Sequence, residues 1–208
     1  MERLLITQSL LSAWNYLFSC HEGYEDEALE DLMRTLRREP SVPNEAMRNG
    51  IEFEKEVMKA VAGVRRTPHK KWESGITAVA TALNGASTHV KLSCVVKVSG
   101  QSYLLYGILD ALKAGIIYDV KFTNKSLSSG SSSYEPGKYL DSAQHPAYFK
   151  LVPEAYEFRY LISDGQDYCT EAYRRKDAPL IEGIIAEFID SIDGMGLLPL
   201  YKEKWVSL

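Results

Sequence analysis

Three residues sit oddly among the apolar side chains of two adjacent segments, Tyr106 to Asp110 and Ile116 to Lys121. Strand side chains alternate faces, so Asp119 and Lys121 project to one side, about 6–7 Å apart along the chain. A tight turn at Lys113 to Gly115 folds the preceding segment back and brings Asp110 beside them. Two carboxylates and an ammonium among Ile, Leu, Val and Tyr break the alternation of a core, and such breaks mark sites. With 28 acids and 14 lysines, roughly two acid-x-Lys triplets arise by chance. Asp119-Val120-Lys121 is the single one in the chain, and its weight lies in ending a buried strand. A structural ion pair at a sheet edge is the alternative.

A third acid comes from a helical segment. At about 100° per residue, Met47, Ile51, Met58 and Val61 form an apolar face with Glu54 in its middle, while Glu52, Glu56 and Lys59 turn away. A lone buried glutamate costs several kcal/mol unless it is paired or bound to a cation. Gly50, one turn earlier, leaves room for a second backbone to approach. Pairing of Glu54 with a buried Lys or Arg is the competing reading. Glu54, Asp110 and Asp119 together are hard oxygen ligands suited to one or two Mg²⁺ or Mn²⁺ ions, and no His or Cys cluster competes for zinc. With Lys121 alongside, the set suits hydrolysis of a phosphodiester: the metal lowers the pKa of a water and the lysine orients the nucleophile or holds a phosphate oxygen.

These side chains need a scaffold. Thr7 or Ser9 caps a first helix with Leu10, Leu11, Trp14, Leu17 and Phe18 at helical spacing. A second runs from about Glu25 to Arg38, stopped by Pro40 and Pro43, a third from Asn44 to about Val61, and a fourth over 73–84 before Asn84-Gly85. Val90 to Ser99, Ser102 to Leu112 and Ile116 to Phe122 read as an antiparallel meander, with a turn at Gly100-Gln101. Residues 125–137, with six serines, read as a mobile loop. A short helix from Ser142 to Leu151 follows, then a hairpin of Tyr156 to Ser163 and Tyr168 to Arg174 around Asp164-Gly165, and a last helix opened by Pro179 and closed by Gly194. The whole is one α/β domain over 1–208, helical to about 85, with a central mixed sheet over about 88–193.

The motifs Gly50-x-x-x-Glu54, Gly107-x-x-Asp110, Asp119-Val120-Lys121 and Gln144-x-x-x-Tyr148 stand in the order of the PD-(D/E)XK nuclease superfamily. The chain resembles its RecB-type and lambda-exonuclease-type branch from about Ser9 to Phe188. The resemblance implies a restriction-endonuclease-like fold and a metal-dependent deoxyribonuclease of phage-type recombination or repair. Asp110 and Asp119 would be metal ligands, with the Val120 carbonyl and Glu54 completing the set, and Lys121 the catalytic lysine. Gln144 and Tyr148 would hold DNA beside the site. Such relatives often form rings, a homo-oligomer, and work beside a strand-annealing protein. Leu109 replaces the proline of the name motif, and of the four cysteines of cluster-bearing members Cys20 and Cys169 alone have counterparts, so no iron-sulfur cluster is expected. An endonuclease, and an inactive DNA-binding protein that kept the fold, are the alternatives.

Composition bounds the rest. The chain has 208 residues, 45% hydrophobic and 25% charged, a globular mix. Three cysteines without CxxC spacing, no signal-peptide pattern and no apolar run of bilayer length indicate a cytoplasmic protein. A net charge of −4 excludes bulk attraction to a polyanion, so DNA contact rests on local clusters. Candidates are Arg65-Arg66, His69-Lys70-Lys71 and Arg174-Arg175-Lys176, with Lys125 and Lys138 flanking the serine-rich loop. Trp72 and Tyr134 are candidate base-stacking residues, and His145 is the histidine to follow.

Overall fold

The first residues depart from the helical reading. In the computed structural model, which describes residues 3–128 and 134–206, Leu4–Thr7 form a strand, β1. Thr7 then turns the chain: in extended conformation, its hydroxyl accepts from Leu10 N at 3.3 Å and caps α1, Gln8–Ser19. Helix α2 (Glu25–Leu36) opens with three acids and carries Arg34 in its last turn, matching the helix dipole. Asn44 caps α3 (Glu45–Val61) by accepting from Met47 N at 2.9 Å, and α4 covers Glu73–Ala82.

The antiparallel meander follows as β2 (Ser87–Val98), β3 (Gln101–Lys113) and β4 (Ile116–Phe122). Its turns are the dipeptides Ser99-Gly100 and Ala114-Gly115, every residue at positive φ, as tight hairpins with right-twisted strands require. The first turn thus lies one residue before the expected Gly100-Gln101. Strand β2 also starts three residues earlier than its apolar run, because pairing with β3 extends to Ser87↔Leu112. After α5 (Gln144–Leu151), β5 (Glu157–Ser163) pairs parallel with β4, and β6 (Tyr168–Arg174) antiparallel with β5. Helix α6 spans Ile181–Gly194, so Pro179 lies outside it, and the chain turns at Gly196 with φ +72°. The short α7 (Leu198–Lys204) went unseen in the sequence. Among the described residues this makes a mixed six-stranded sheet with seven α-helices, an α/β fold, and no helix among them is long and apolar enough to cross a membrane.

Helices cover both faces of the sheet. One apolar cluster joins α1, α2, α5, α6 and α7 to residues such as Leu105, Ile117, Phe158 and Tyr160. The other joins α3 and α4 to Tyr118, Val120 and Leu161. The C-terminal segment locks onto the N-terminus: Tyr201 OH donates to Leu5 O at 3.0 Å, and Trp205 Nε1 to Leu36 O at 2.9 Å.

The buried side of α3 is not the one its apolar spacing suggests. Met47 and Ile51 are 53% and 58% exposed, whereas Phe53 and Val57 are fully buried against α4 and the sheet. Glu54 therefore lies at the margin of the buried stripe, not its middle. Nothing stands within 4 Å of where a side chain at Gly50 would begin, so no second backbone approaches there. Glu56 is also largely covered, its side chain 15% exposed and paired with Lys59 at 2.6 Å.

Strand β2 pairs along one whole edge of β3. The opposite edge is shared by two strands: β1 takes Tyr103 to Tyr106, and β4 takes Ala111 to Lys113. Residues 107–110 of β3 face no strand on that edge, and the candidate site lies in this opening.

Candidate active site

Asp110 and Asp119 are the next opposed pair beyond the last rung of the β3–β4 ladder, Ala111↔Tyr118. The strands part there, so a side chain replaces the missing backbone partner: Asp110 Oδ2 accepts from Val120 N at 2.8 Å. The Val120 side chain itself is buried in the α3–α4 core. At the other end of the opening, Tyr148 OH donates to Ile108 O at 2.9 Å. Gly107 makes room for this. A methyl group on it would stand 2.8 Å from both Tyr148 Cε1 and Leu151 Cδ1, so α5 packs this close to β3 because residue 107 has no side chain.

Asp119 is 3% exposed. Its Oδ1 accepts a short hydrogen bond from Gln144 Nε2. Its Oδ2, fully buried, takes no directed hydrogen bond, and its ion-pair partner Lys121 Nζ stands 2.6 Å away. Gln144 and Tyr148, expected to hold DNA, are themselves buried and bonded within the protein. Burial pushes the Tyr148 hydroxyl up to about 12, which keeps it a donor.

Glu54, Asp110, Asp119 and Lys121 act on one another. Burial, then the charges of Asp119 and Glu54, raise Asp110 well above the usual carboxylate range. Burial, then Asp119, raise Glu54 as well. Burial pulls Lys121 down, but the charge and hydrogen bonding of Asp119, with Asp110, outweigh it and hold the ammonium above its ordinary value. Lys121 offsets one of three negative charges. A divalent cation suits the two further acids, so the donor set fits Mg²⁺ or Mn²⁺ in chemistry. In geometry, no group of three or more His, Cys, Asp or Glu among the described residues is gathered closely enough to hold an ion as it stands. The Asp119 carboxylate lies against Lys121 and Gln144, and Asp110 against Val120.

The register extends the site sideways, since Asp119 pairs with Tyr160 and Tyr160 with Glu171. Tyr139 stacks on Tyr160 with ring centroids 4.3 Å apart, and Lys121 Nζ lies 5.8 Å from the Tyr160 ring. Buried Glu171 accepts from Tyr134 OH, from Gly137 N at 2.9 Å and from Tyr173 OH at 2.8 Å. It thereby ties the segment leading to Lys138 down onto the sheet. The sequence held the signal for Glu171: it is an acid at an inward position between Cys169 and Tyr173, the same anomaly as Asp119. His89 was also missed. It sits opposite Asp110 in the β2–β3 register with φ +51°, and its charge acts on Glu54.

Lys125 and Lys138 line one cleft of about 580 Å³ with Phe122 and Thr123, just past Lys121. Of the serine-rich stretch, residues 129–133 lie outside the described residues. Other candidates separate. Tyr134 is bonded to Glu171 as above, and Trp72 packs against Phe122, Phe53 and His69. Arg175 donates to the carbonyls of Phe149, Val152 and Ala155, closing the end of α5 and the turn after it. His145 is buried and stacked on Tyr173. Cys20, Cys94 and Cys169 are free thiols.

No family model matches the chain, and no curated protein does. Among solved structures it is similar to that of SSO0001, at 14% identity and a TM-score of 0.53, over 94% of this chain and 78% of that one. A structure of LHK-Exo in complex with dAMP is matched at 15% identity and a TM-score of 0.47, over 92% and 89% of the two chains. At these identities the likeness to SSO0001 concerns the fold.

Proposed function

We propose that the chain is a Mg²⁺- or Mn²⁺-dependent DNA exonuclease. The observation that carries this reading is the mutual electrostatic influence of Glu54, Asp110, Asp119 and Lys121 beside the parting of β3 and β4, with Asp110 and Glu54 raised by burial and by their neighbours' charges. Structural ion pairs match acid to base one to one, whereas this set puts three carboxyl groups against one ammonium in a half-buried opening. Asp110, Asp119, the Val120 carbonyl and Glu54 would hold one or two ions. When bound, such an ion polarises a phosphate oxygen and lowers the pKa of a water molecule.

The chain's own residues supply the rest. Gln144 fixes one oxygen of Asp119, so the carboxylate presents the other toward Lys121. Lys121, a third exposed and held protonated, is placed to bind a non-bridging phosphate oxygen and stabilise the charge that develops there. Lys125 and Lys138, across one cleft, suit the next phosphates of the strand, while buried Gln144 and Tyr148 hold Asp119 and the backbone of β3 from beneath.

The test is digestion of 5′- and 3′-labelled linear duplex, single strands and closed circles with Mg²⁺, Mn²⁺ or EDTA, wild type beside Lys121→Ala. Metal-dependent loss of linear DNA with circles intact, reduced by about 10²-fold or more in the variant, is the expected result. Cutting of closed circles replaces the exonuclease with an endonuclease. Equal inertness of both proteins on every substrate overturns the reading.

A further inference from the structure

We propose that the groove between α3 and residues 64–72 is a track for the phosphodiester backbone of the DNA, on the side of α3 turned away from Glu54. This rests on the nuclease reading and extends the substrate contact beyond the site. The groove, about 720 Å³, gathers Lys59, Arg65, Arg66, Lys70 and Lys71 around Glu52 and Glu56, in a chain whose net charge is −4. Of its acids, Glu56 pairs with Lys59 at 2.6 Å, and Glu52 lies 3.8 Å from His69 Nε2. Arg66 is taken by Glu73 through both guanidinium nitrogens, at 2.6 and 2.7 Å. Arg65, Lys70 and Lys71 are exposed and have no acid within ion-pair distance among the described residues. Three unpaired cations on seven residues make a local anion-binding surface that the overall charge conceals.

The surface is also rigid and tied to the site. Glu73 accepts from His69 N at 2.8 Å, and His69 Nδ1 accepts from Trp72 N at 3.0 Å, so the cations stand on a turn held from inside. Trp72 stacks on His69 at 4.2 Å and packs on Phe122 at 4.7 Å and Phe53 at 6.2 Å. Phe122 follows Lys121 and Phe53 precedes Glu54, so the indole links the basic turn to both. Order before binding removes entropy that would otherwise weaken it.

The experiment measures binding of a 30-base-pair duplex in EDTA against salt concentration, for wild type, Arg65→Glu/Lys70→Glu/Lys71→Glu and the triple Gln variant, each checked for an unchanged thermal midpoint. The expected result is at least tenfold weaker binding by the Glu triple and a log–log salt slope shallower by about 2–3, at ~0.9 per phosphate contact, with the Gln triple in between. Cleavage of an oligonucleotide too short to reach the groove stays at the wild-type rate. An unchanged slope overturns the proposal, as does wild-type binding through these residues to polyglutamate but not to DNA. If the slope falls as stated while no metal ion supports cleavage of any DNA, the track stands and the nuclease reading falls.

Discussion

His145 follows Gln144 in the chain, yet its chemistry is that of a core residue. It is 2% exposed, its ring stacks on Tyr173 at 4.6 Å, and Nδ1 has no hydrogen-bond partner. Burial lowers its pKa from 6.5 to about 4, and the nearby Asp141 opposes the shift too weakly to restore it. The folded protein therefore keeps the imidazole neutral where the unfolded chain binds a proton. Stability from this group is fully present above pH ~6.5 and is lost as pH falls toward 4. Between pH 7 and pH 5 the loss is about 2 kcal/mol, at ~1.4 kcal/mol per pKa unit. Urea unfolding of wild type and His145→Phe at both pH values measures it. The wild type should weaken more than the variant by this amount, and equal weakening would remove His145 as the cause. Lys121 shows the opposite balance with the same physics: burial disfavours its charge, but a carboxylate 2.6 Å away restores it.

At the scale of elements, the opening in the sheet depends on α5 sitting close to β3, and Gly107 sets that distance. In Gly107→Ala the new methyl would press on Tyr148 and Leu151 at 2.8 Å, and Tyr148 cannot yield without losing its bond to Ile108 O. The cost is about 1–3 kcal/mol of overpacking. A lowered urea midpoint, with Mg²⁺-dependent cleavage reduced further than Tyr148→Phe reduces it, is the expected pattern; an unaltered midpoint would show that α5 moves freely. The meander was legible because its strands are long, β-branched and joined by glycine turns that act locally. So was the juxtaposition of Asp110, Asp119 and Lys121, whose types jar with their surroundings, whereas Gln144 came into view through the family resemblance alone. Strand β1 was not, because four residues carry no period and its partner begins a hundred residues later at Tyr103. The face of α3 was misjudged by a similar limit: Met47, Ile51 and Met58 share a stripe, but packing against α4 selects Phe53 and Val57. Helix α7 is short, and its role, holding Leu5 through Tyr201, is purely tertiary.

For the molecule as a whole, the candidate site is a charge imbalance that the rest of the fold must sustain. Asp110 has its pKa raised by burial and by Asp119 and Glu54, so its ionisation at neutral pH opposes folding; the stability it lends at low pH is lost as pH rises through its folded-state value. Asn at this position removes the charge but keeps an oxygen able to accept from Val120 N. Asp110→Asn should therefore be more stable than wild type in EDTA at pH 7, by about 1–2 kcal/mol, which for a chain of this size is a few degrees in the thermal midpoint. Mg²⁺ reverses the order if the acids bind it. At a hundred times its dissociation constant an ion adds about 2.7 kcal/mol to a protein that binds it solely when folded, and the wild type gains more of this than the variant. Thermal melts of both proteins with EDTA and with Mg²⁺ supply the four midpoints. A variant that melts below wild type in EDTA would show Asp110 to be a net structural support. Equal Mg²⁺ shifts for the two would separate the ion from this carboxylate, whereas a gain confined to the wild type ties the stability lost in assembling the acids to the ion they are proposed to hold.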